Sequence, residues 1–485
     1  MMKQITMCKI VQKQYFSFIL ALLVVCVTTQ SAWSAFTIAD EKKLGKEIYD
    51  KLEKNNFLLH DKRLEAYISK IGNHVLQRSD KAPFDFTFSI FNSSAINAFA
   101  TPGGYVYINK GLISVVNNEA QLAGVIAHEI AHANARHVAS IIEKSKKLNL
   151  AMMAAIIAAA LLGGGGEATA AIATFSIAGA TSISLKYQRE HEEEADRMGI
   201  EYLVKSGYYP AAMVEFLKIM KQYEFISKSI PSYLFTHPGT DDRIFYLDSL
   251  LQTQYRGDGA RDIVGSFVRM QSLIGLDANG LFNRRKTLTQ SLQKNPRNVD
   301  LLYALAMTEE QLGHTRAAVE HLNRGLSIAP RDGDILKSIG MISLKTGNVG
   351  LARLRLLEAS RVNPEDDQVT LALGKAHYAT GDFQSALNCF LKLQDKTTDD
   401  VDIDYHIAMS YGRLNQQGDS HYYFGLHFKK KQKKDSALFH LQKALEYFSK
   451  ESPKAASIQE AMTELSTGKP VKPDKKTEAK PNTPK

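Results

Sequence analysis

His128, Glu129 and His132 form an HEIAH pentapeptide, and these residue types at this spacing define a chemistry. On a helix, residues four apart lie over the same turn, so two imidazoles face one point and can share one zinc ion. Glu129 follows His128 directly and faces the open side of such a site, where a carboxylate can take a proton from an attacking water. A catalytic zinc keeps three protein ligands and an open fourth position. The pentapeptide therefore predicts a third ligand elsewhere in the chain.

The elements that would carry these groups are legible around them. Leu122, Val125, Ile126 and Ala133 supply an apolar stripe, and no Gly or Pro interrupts Val125 to Ser140, so a buried helix is expected through the pentapeptide. Downstream, Arg189-Glu190-His191-Glu192-Glu193-Glu194-Ala195-Asp196 runs into a second apolar-periodic helix containing Ile200, Tyr202 and Leu203. Several potential ligands crowd into this stretch, and spacing does not choose among them; with no metal motif upstream, such a run reads as a solvated helix face. Before the pentapeptide, Tyr105, Val106, Tyr107 and Ile108 read as a strand preceded by a Pro102-Gly103-Gly104 turn. A strand there can lie at a cleft edge and pair with an extended substrate backbone, or be one arm of an ordinary core hairpin. After the acidic stretch comes His237-Pro238-Gly239-Thr240-Asp241-Asp242-Arg243, where Thr240 or Asp241 is the expected cap of a further helix.

The pairing of HEIAH with the later Glu192-Glu193-Glu194-Ala195-Asp196 stretch resembles the metallopeptidase family that contains HtpX and the CAAX prenyl protease. The turn and strand at Asn97 to Ile108 and the His237 to Arg243 stretch are similar to the same family. The resemblance implies one zinc ion per subunit with His128, His132 and Glu192 as ligands and Glu129 as general base. It gives Asp196 the task of orienting a ligand imidazole, in preference to the proton-donor role also ascribed to it. It brings His237 toward the open metal position, to stabilise an oxyanion or to block the metal in a latent state, with Arg243 holding charge nearby. Gln121 departs from the pattern, standing where the family commonly has a second acidic residue.

Lys3, Lys9 and Lys13, then an apolar run from Tyr15 to Val27, then small residues up to Ala35 have the order of a secretory leader, with cleavage expected after Ser34. Cys8 and Cys26 fall in that leader, so Cys389 is the one cysteine expected in the processed chain, and no internal disulfide is expected. The formal charge of +9 collects in Lys429, Lys430, Lys431, Lys433 and Lys434 and in a Lys/Pro-rich tail. A nucleic-acid partner is therefore not expected. A second apolar run, with Gly163 to Gly166 in its middle, reads as a helical hairpin, buried or touching a membrane surface.

Beyond residue 265 the pattern becomes periodic. Pro296, Pro330 and Pro364 are 34 residues apart, and so are Gly313, Gly347 and Gly381 and Ala318, Ala352 and Ala386. That is the tetratricopeptide period, in which paired helices stack into a protein-binding solenoid. Asn415 and Ser420 replace Gly and Ala in a degenerate fourth unit. The expected fold is mainly α: an α+β zincin-like domain with a small β-sheet, followed by an all-α repeat solenoid. The expected boundaries are a leader at 1–34, a metallopeptidase domain at 35–265 with an apolar insertion at about 148–183, repeats at 266–465, and a disordered tail at 466–485. A leader, a metallopeptidase and repeats together resemble periplasmic proteases that handle outer-membrane β-barrel assembly. That resemblance implies unfolded or misassembled outer-membrane proteins as substrates, the assembly machinery as partner of the repeats, and chaperone activity as a further expectation. The alternative is a non-proteolytic scaffold docked on that machinery.

Overall fold

The computed structural model describes residues 36–81, 83–144, 189–226, 231–394 and 402–467. The leader and the apolar insertion lie outside the described residues, as does the tail from 468 on. The chain divides into two compact units, Met1–Ile274 and Gly275–Lys485.

The first unit opens with helices α1 (Ile38–Lys54) and α2 (Lys62–Leu76). Thr37 and Asp40 form a reciprocal capping box at α1, and the Asp61 carboxylate accepts from Arg63 N and Leu64 N at α2, so both starts are written in local sequence. Strands β1 (Thr87–Phe91), β2 (Ala98–Thr101) and β3 (Tyr105–Asn109) form a sheet in the order β1-β3-β2. β3 runs parallel to β1 and antiparallel to β2. Tyr105 to Ile108 is thus the central strand, bonded on both sides, and cannot accept a substrate backbone; the outer strands are Thr87–Phe91, bridged to Leu58 at Phe91, and Ala98–Thr101. Leu44, Ile48 and Leu52 of α1 pack with Phe91, Phe99 and Tyr107 of the sheet. Gly45 makes that approach feasible, since a Cβ there would stand 1.9 Å from the Pro102 carbonyl oxygen.

A short helix α3 (Lys110–Val115) leads to α4 (Glu119–Asn134), the helix of the pentapeptide. Its N-cap Asn118 accepts from Gln121 N. Every residue from Glu119 to His132 is buried, because α4 runs between other elements of this unit on all sides. It is a core helix buried all round, not one with a single buried stripe, and Ala133 is only half-buried. The helix also stops sooner than the absence of Gly and Pro implied. Arg136 takes a left-handed φ of 55°, and α5 (His137–Lys144) starts afresh. Then follow α6 (Arg189–Lys205), α7 (Ala212–Ile226), α8 (Ser232–Thr236), α9 (Thr240–Thr253) and α10 (Phe267–Ser272). Neither Thr240 nor Asp241 caps α9; its N-cap is Gly239, at φ 87° with no side-chain bond. The first unit extends past the composition change at 265 because α10 is tied into it: Gln271 Nε2 donates to the carbonyls of Ile113 and Val116.

The second unit is all helical. Pairs 299–311/315–328, 333–345/349–362 and 367–379/383–391 follow the 34-residue period, and 403–413/417–430 continues it. One apolar cluster joins Tyr303, Ala306, Ala318 and Leu322 to Ile335 and Ile339 of the next pair, so each pair buries the face of its neighbour. Gly313, Gly347 and Gly381 turn between paired helices at φ 81–82°. Asn415 takes the same left-handed conformation at 59°, and Ser420 Oγ donates to the Ala408 carbonyl, so the degenerate unit keeps the geometry of the others. The last helix, Pro453–Thr467, makes Ser466 and Thr467 helical, not the start of a tail. The lysine cluster is largely neutralised within the unit: Lys429 pairs with Glu464, Lys430 with Asp404 and Lys431 with Asp402. Among the described residues, no helix is long and apolar enough to cross a membrane.

Candidate metal centre

α4 and α6 pack against each other and set the site. His128 and His132 project from α4, one turn apart, with their Nε2 atoms 3.0 Å from each other. Glu192, on the first turn of α6, lies with Oε2 3.4 Å from His128 Nε2 and Oε1 3.4 Å from His132 Nε2. His237, at the end of α8, brings Nδ1 to 3.3 Å from His128 Nε2 and 3.2 Å from Glu192 Oε1. One ligand atom from each of these four residues lies within 4.8 Å of all the others, and all four residues are buried.

The donors fit zinc. Ligands bound tetrahedrally at ~2.0–2.1 Å stand roughly 3.3 Å apart, close to the 3.0–3.4 Å separations among His128, His132 and Glu192, and two or three imidazoles with one carboxylate form a usual zinc set. His191, the one imidazole of the acidic stretch, instead stacks on His137 with ring centroids 4.3 Å apart.

Behind these atoms stands a layer of ion pairs. Asp196, one turn past Glu192, places Oδ1 3.0 Å from His128 Nδ1. Arg243 reaches in from α9 and donates from Nε and Nη2 to the two Asp196 oxygens at 2.8 and 2.7 Å, with Nη1 2.9 Å from Glu192 Oε2. Burial penalises the carboxylate forms of Glu192 and Asp196. The neighbouring His237 and Arg243 for Glu192, and Arg243 for Asp196, outweigh it and hold both below the ordinary carboxylate range. For His128 burial also opposes charge, but Asp196 and Glu192 leave the imidazole raised to about 9. A proton held there is one that a cation displaces on binding. Burial, with the neighbouring His128, sends His132 well below its ordinary value.

Glu129 is 0 % exposed, and its Oε1 lies 3.5 Å from His237 Nε2. Burial raises its pKa, which suits a carboxylate that must take up a proton and release it. Tyr233 stacks on the His237 ring, with centroids 4.4 Å apart, and fixes its plane. Alongside, edge-strand residues Ala100 and Thr101 line a cavity with Pro102, His132, Ala133 and Arg136. All seven site residues named from sequence are therefore brought together, with Gln121 outside them, donating to Glu215 Oε2 at 3.0 Å. Two participants in the surroundings were missed. His137 contacts His132 from behind, and its signal was a third histidine five residues past the pentapeptide. Tyr233 carried no signal.

Residues 62–251 match Peptidase family M48, and residues 299–332 match a Tetratricopeptide repeat. The chain carries a peptidase family M48 domain followed by tetratricopeptide repeats. It is similar to the beta-barrel assembly-enhancing protease of Yersinia pestis, 31% identical over 52% of this chain and 52% of that one. The protein of the same name from Escherichia coli K12 is 29% identical over 61% of this chain and 67% of that one. The bovine mitochondrial metalloendopeptidase OMA1 is 27% identical over 41% of this chain and 39% of its own. The chain spans about half the length of the curated relatives it matches.

Proposed function

We propose that the protein is a zinc-dependent endopeptidase with a repeat unit that binds proteins, acting in the periplasm on unfolded or misassembled outer-membrane β-barrel proteins. The observation that carries the hydrolytic reading is the convergence of four buried donors within 4.8 Å of one another with the Glu129 carboxylate beside them. His128, His132 and Glu192 would hold the ion. When bound, zinc would polarise the scissile carbonyl and acidify the attacking water. Glu129 takes the proton of that water and delivers it to the leaving amine. Asp196 keeps His128 oriented through Nδ1, and Arg243 locks Asp196 and Glu192 in place. The Ala98–Thr101 edge pairs with the substrate backbone.

His237 would take the fourth position in a latent form, so that cleavage requires His237 to withdraw; its Nδ1, 3.3 Å from His128 Nε2, supports this reading. The leader pattern, the relatives named for β-barrel assembly and the repeats support the periplasmic setting and the link to the assembly machinery. Chaperone activity without cleavage is the second reading, favoured by the complete burial of Glu129. The test is zinc content together with cleavage of casein and of an unfolded outer-membrane protein. A chain that takes up one zinc and cleaves, with Glu129→Gln retaining zinc and losing cleavage, supports the reading. Intact cleavage by Glu129→Gln refutes the mechanism. Full restoration of outer-membrane integrity by Glu129→Gln in cells favours the scaffold.

A further inference from the structure

His132 has a partner behind it that the zinc chemistry above does not use. α4 ends at Asn134, and Arg136 then enters the left-handed region at φ 55°, a conformation usually left to Gly or Asn. Its side chain is tied down there: Nε donates to Glu41 Oε1 at 2.5 Å, and Nη2 donates to the Phe36 carbonyl at 2.8 Å. The turn reverses the chain and sets His137 against the rear of His132, with the two Nδ1 atoms 2.7 Å apart. On its far side, His137 Nε2 lies 3.1 Å from Glu194 Oε2. The His191 ring stacks on His137 at an interplanar angle of 15° and fixes the plane in which both bonds are made.

The protons follow from this chain of contacts. A carboxylate only accepts, so the proton of a neutral His137 sits on Nε2 and points to Glu194, leaving Nδ1 bare. Bare Nδ1 accepts from His132 Nδ1–H. His132 Nε2 is then left with its lone pair directed toward His128, Glu192 and His237. The opposite tautomer of His132 would carry its proton on Nε2, pointing among the donors, and could not ligate. For His128 the corresponding partner is the Asp196 carboxylate.

We propose that His137 is a positioning residue that, with Glu194 behind it, holds His132 in its metal-binding tautomer. The proposal rests on the zinc reading above. Outer partners of this kind are worth ~10–100-fold in metal affinity, and orienting them is how the surroundings of a metal tune its ligands.

The experiment measures zinc affinity of the full chain by competition with a chromogenic chelator for wild type, His137→Ala, His137→Gln and Glu194→Ala, alongside thermal unfolding of each metal-free protein. His137→Ala should bind zinc about 10–100-fold more weakly. His137→Gln, whose amide oxygen can accept from His132 Nδ1–H, should recover most of that loss. Glu194→Ala removes an exposed side chain that the fold does not need and should weaken binding by a smaller factor, which keeps the test open if His137→Ala does not fold. A purely structural role would lower metal-free stability and leave affinity alone. Wild type that binds zinc while His137→Ala and Glu194→Ala match it overturns this proposal only; wild type that takes up no zinc overturns the zinc reading and this one with it.

Discussion

Glu119 is a point at which to perturb the helix of the pentapeptide without touching the candidate site. It opens α4, is 0 % exposed, and its carboxylate accepts from Tyr67 Oη at 2.5 Å and Tyr208 Oη at 2.7 Å. It also accepts from the backbone N–H groups of Ile263, Val264 and Gly265 at 2.8, 2.8 and 3.1 Å. Glu119→Ala strands both tyrosine hydroxyls, which are 6 % and 1 % exposed, at roughly 1–3 kcal/mol each. Losing a negative charge at the helix start adds about 0.5–1 kcal/mol. The three backbone N–H groups lie on outer residues that water reaches, and contribute little. The expected loss is about 4 kcal/mol for the first unit, or close to a thousandfold in its opening equilibrium. Amide hydrogen exchange on the metal-free full chain reads this directly: peptides covering 119–134 should exchange faster by that factor. Glu119→Gln, with one acceptor oxygen for five donors, should fall between. A loss below about 1 kcal/mol for Glu119→Ala, the scale of a surface change, would refute the assignment of this carboxylate as the anchor of the helix.

Three further outcomes are expected. Glu129→Gln should keep its zinc by elemental analysis and lose at least about 100-fold in cleavage rate, because the group that moves the proton is gone while the proposed ligands remain. His237→Ala should raise basal cleavage of casein above wild type; equal or lower cleavage at equal zinc content would mean that His237 aids the reaction and does not block it. In the repeats, burial raises the Asp366 carboxyl, but the Lys337 ammonium 2.7 Å away outweighs it and the pKa is lowered. A carboxylate depressed on folding stabilises the fold above its unfolded value of ~3.9 and loses that contribution as pH falls through the lower folded value. Thermal melts between pH 5 and pH 2, taken as approximate limits, should show this loss, and Lys337→Met should flatten it.

The site was unusually legible because two short local patterns carried it. HEIAH places two imidazoles on one helical face by helix geometry alone, and the Thr37/Asp40 capping box, the Pro102-Gly103-Gly104 turn and the 34-residue period are equally local. The acidic stretch names its helix but not a ligand, since any of its carboxylates suits the spacing; Glu192 rests on resemblance, and the packing of α6 on α4 sets it 3.4 Å from both imidazoles. The end of α4 carries no local signal, because its left-handed turn is an arginine, permitted there by Glu41 and the Phe36 carbonyl, which lie far earlier in the chain. The central position of Tyr105–Asn109 was hidden for a similar reason, as β1 pairs with it across a separation that periodicity does not encode.

Sequence by itself determined that this chain has a helix with two imidazoles and a carboxylate on it, an acidic helix to follow, and a periodic helical array. Those features depend on neighbours within a few residues, where backbone geometry dictates which side chains share a face. Tertiary structure alone decided that Glu192 and His237 meet His128 and His132, that Arg243 closes over Asp196, and that His137 turns back behind His132. Each of these is a contact between distant segments, set by which buried surfaces fit together, and no spacing along the chain contains it.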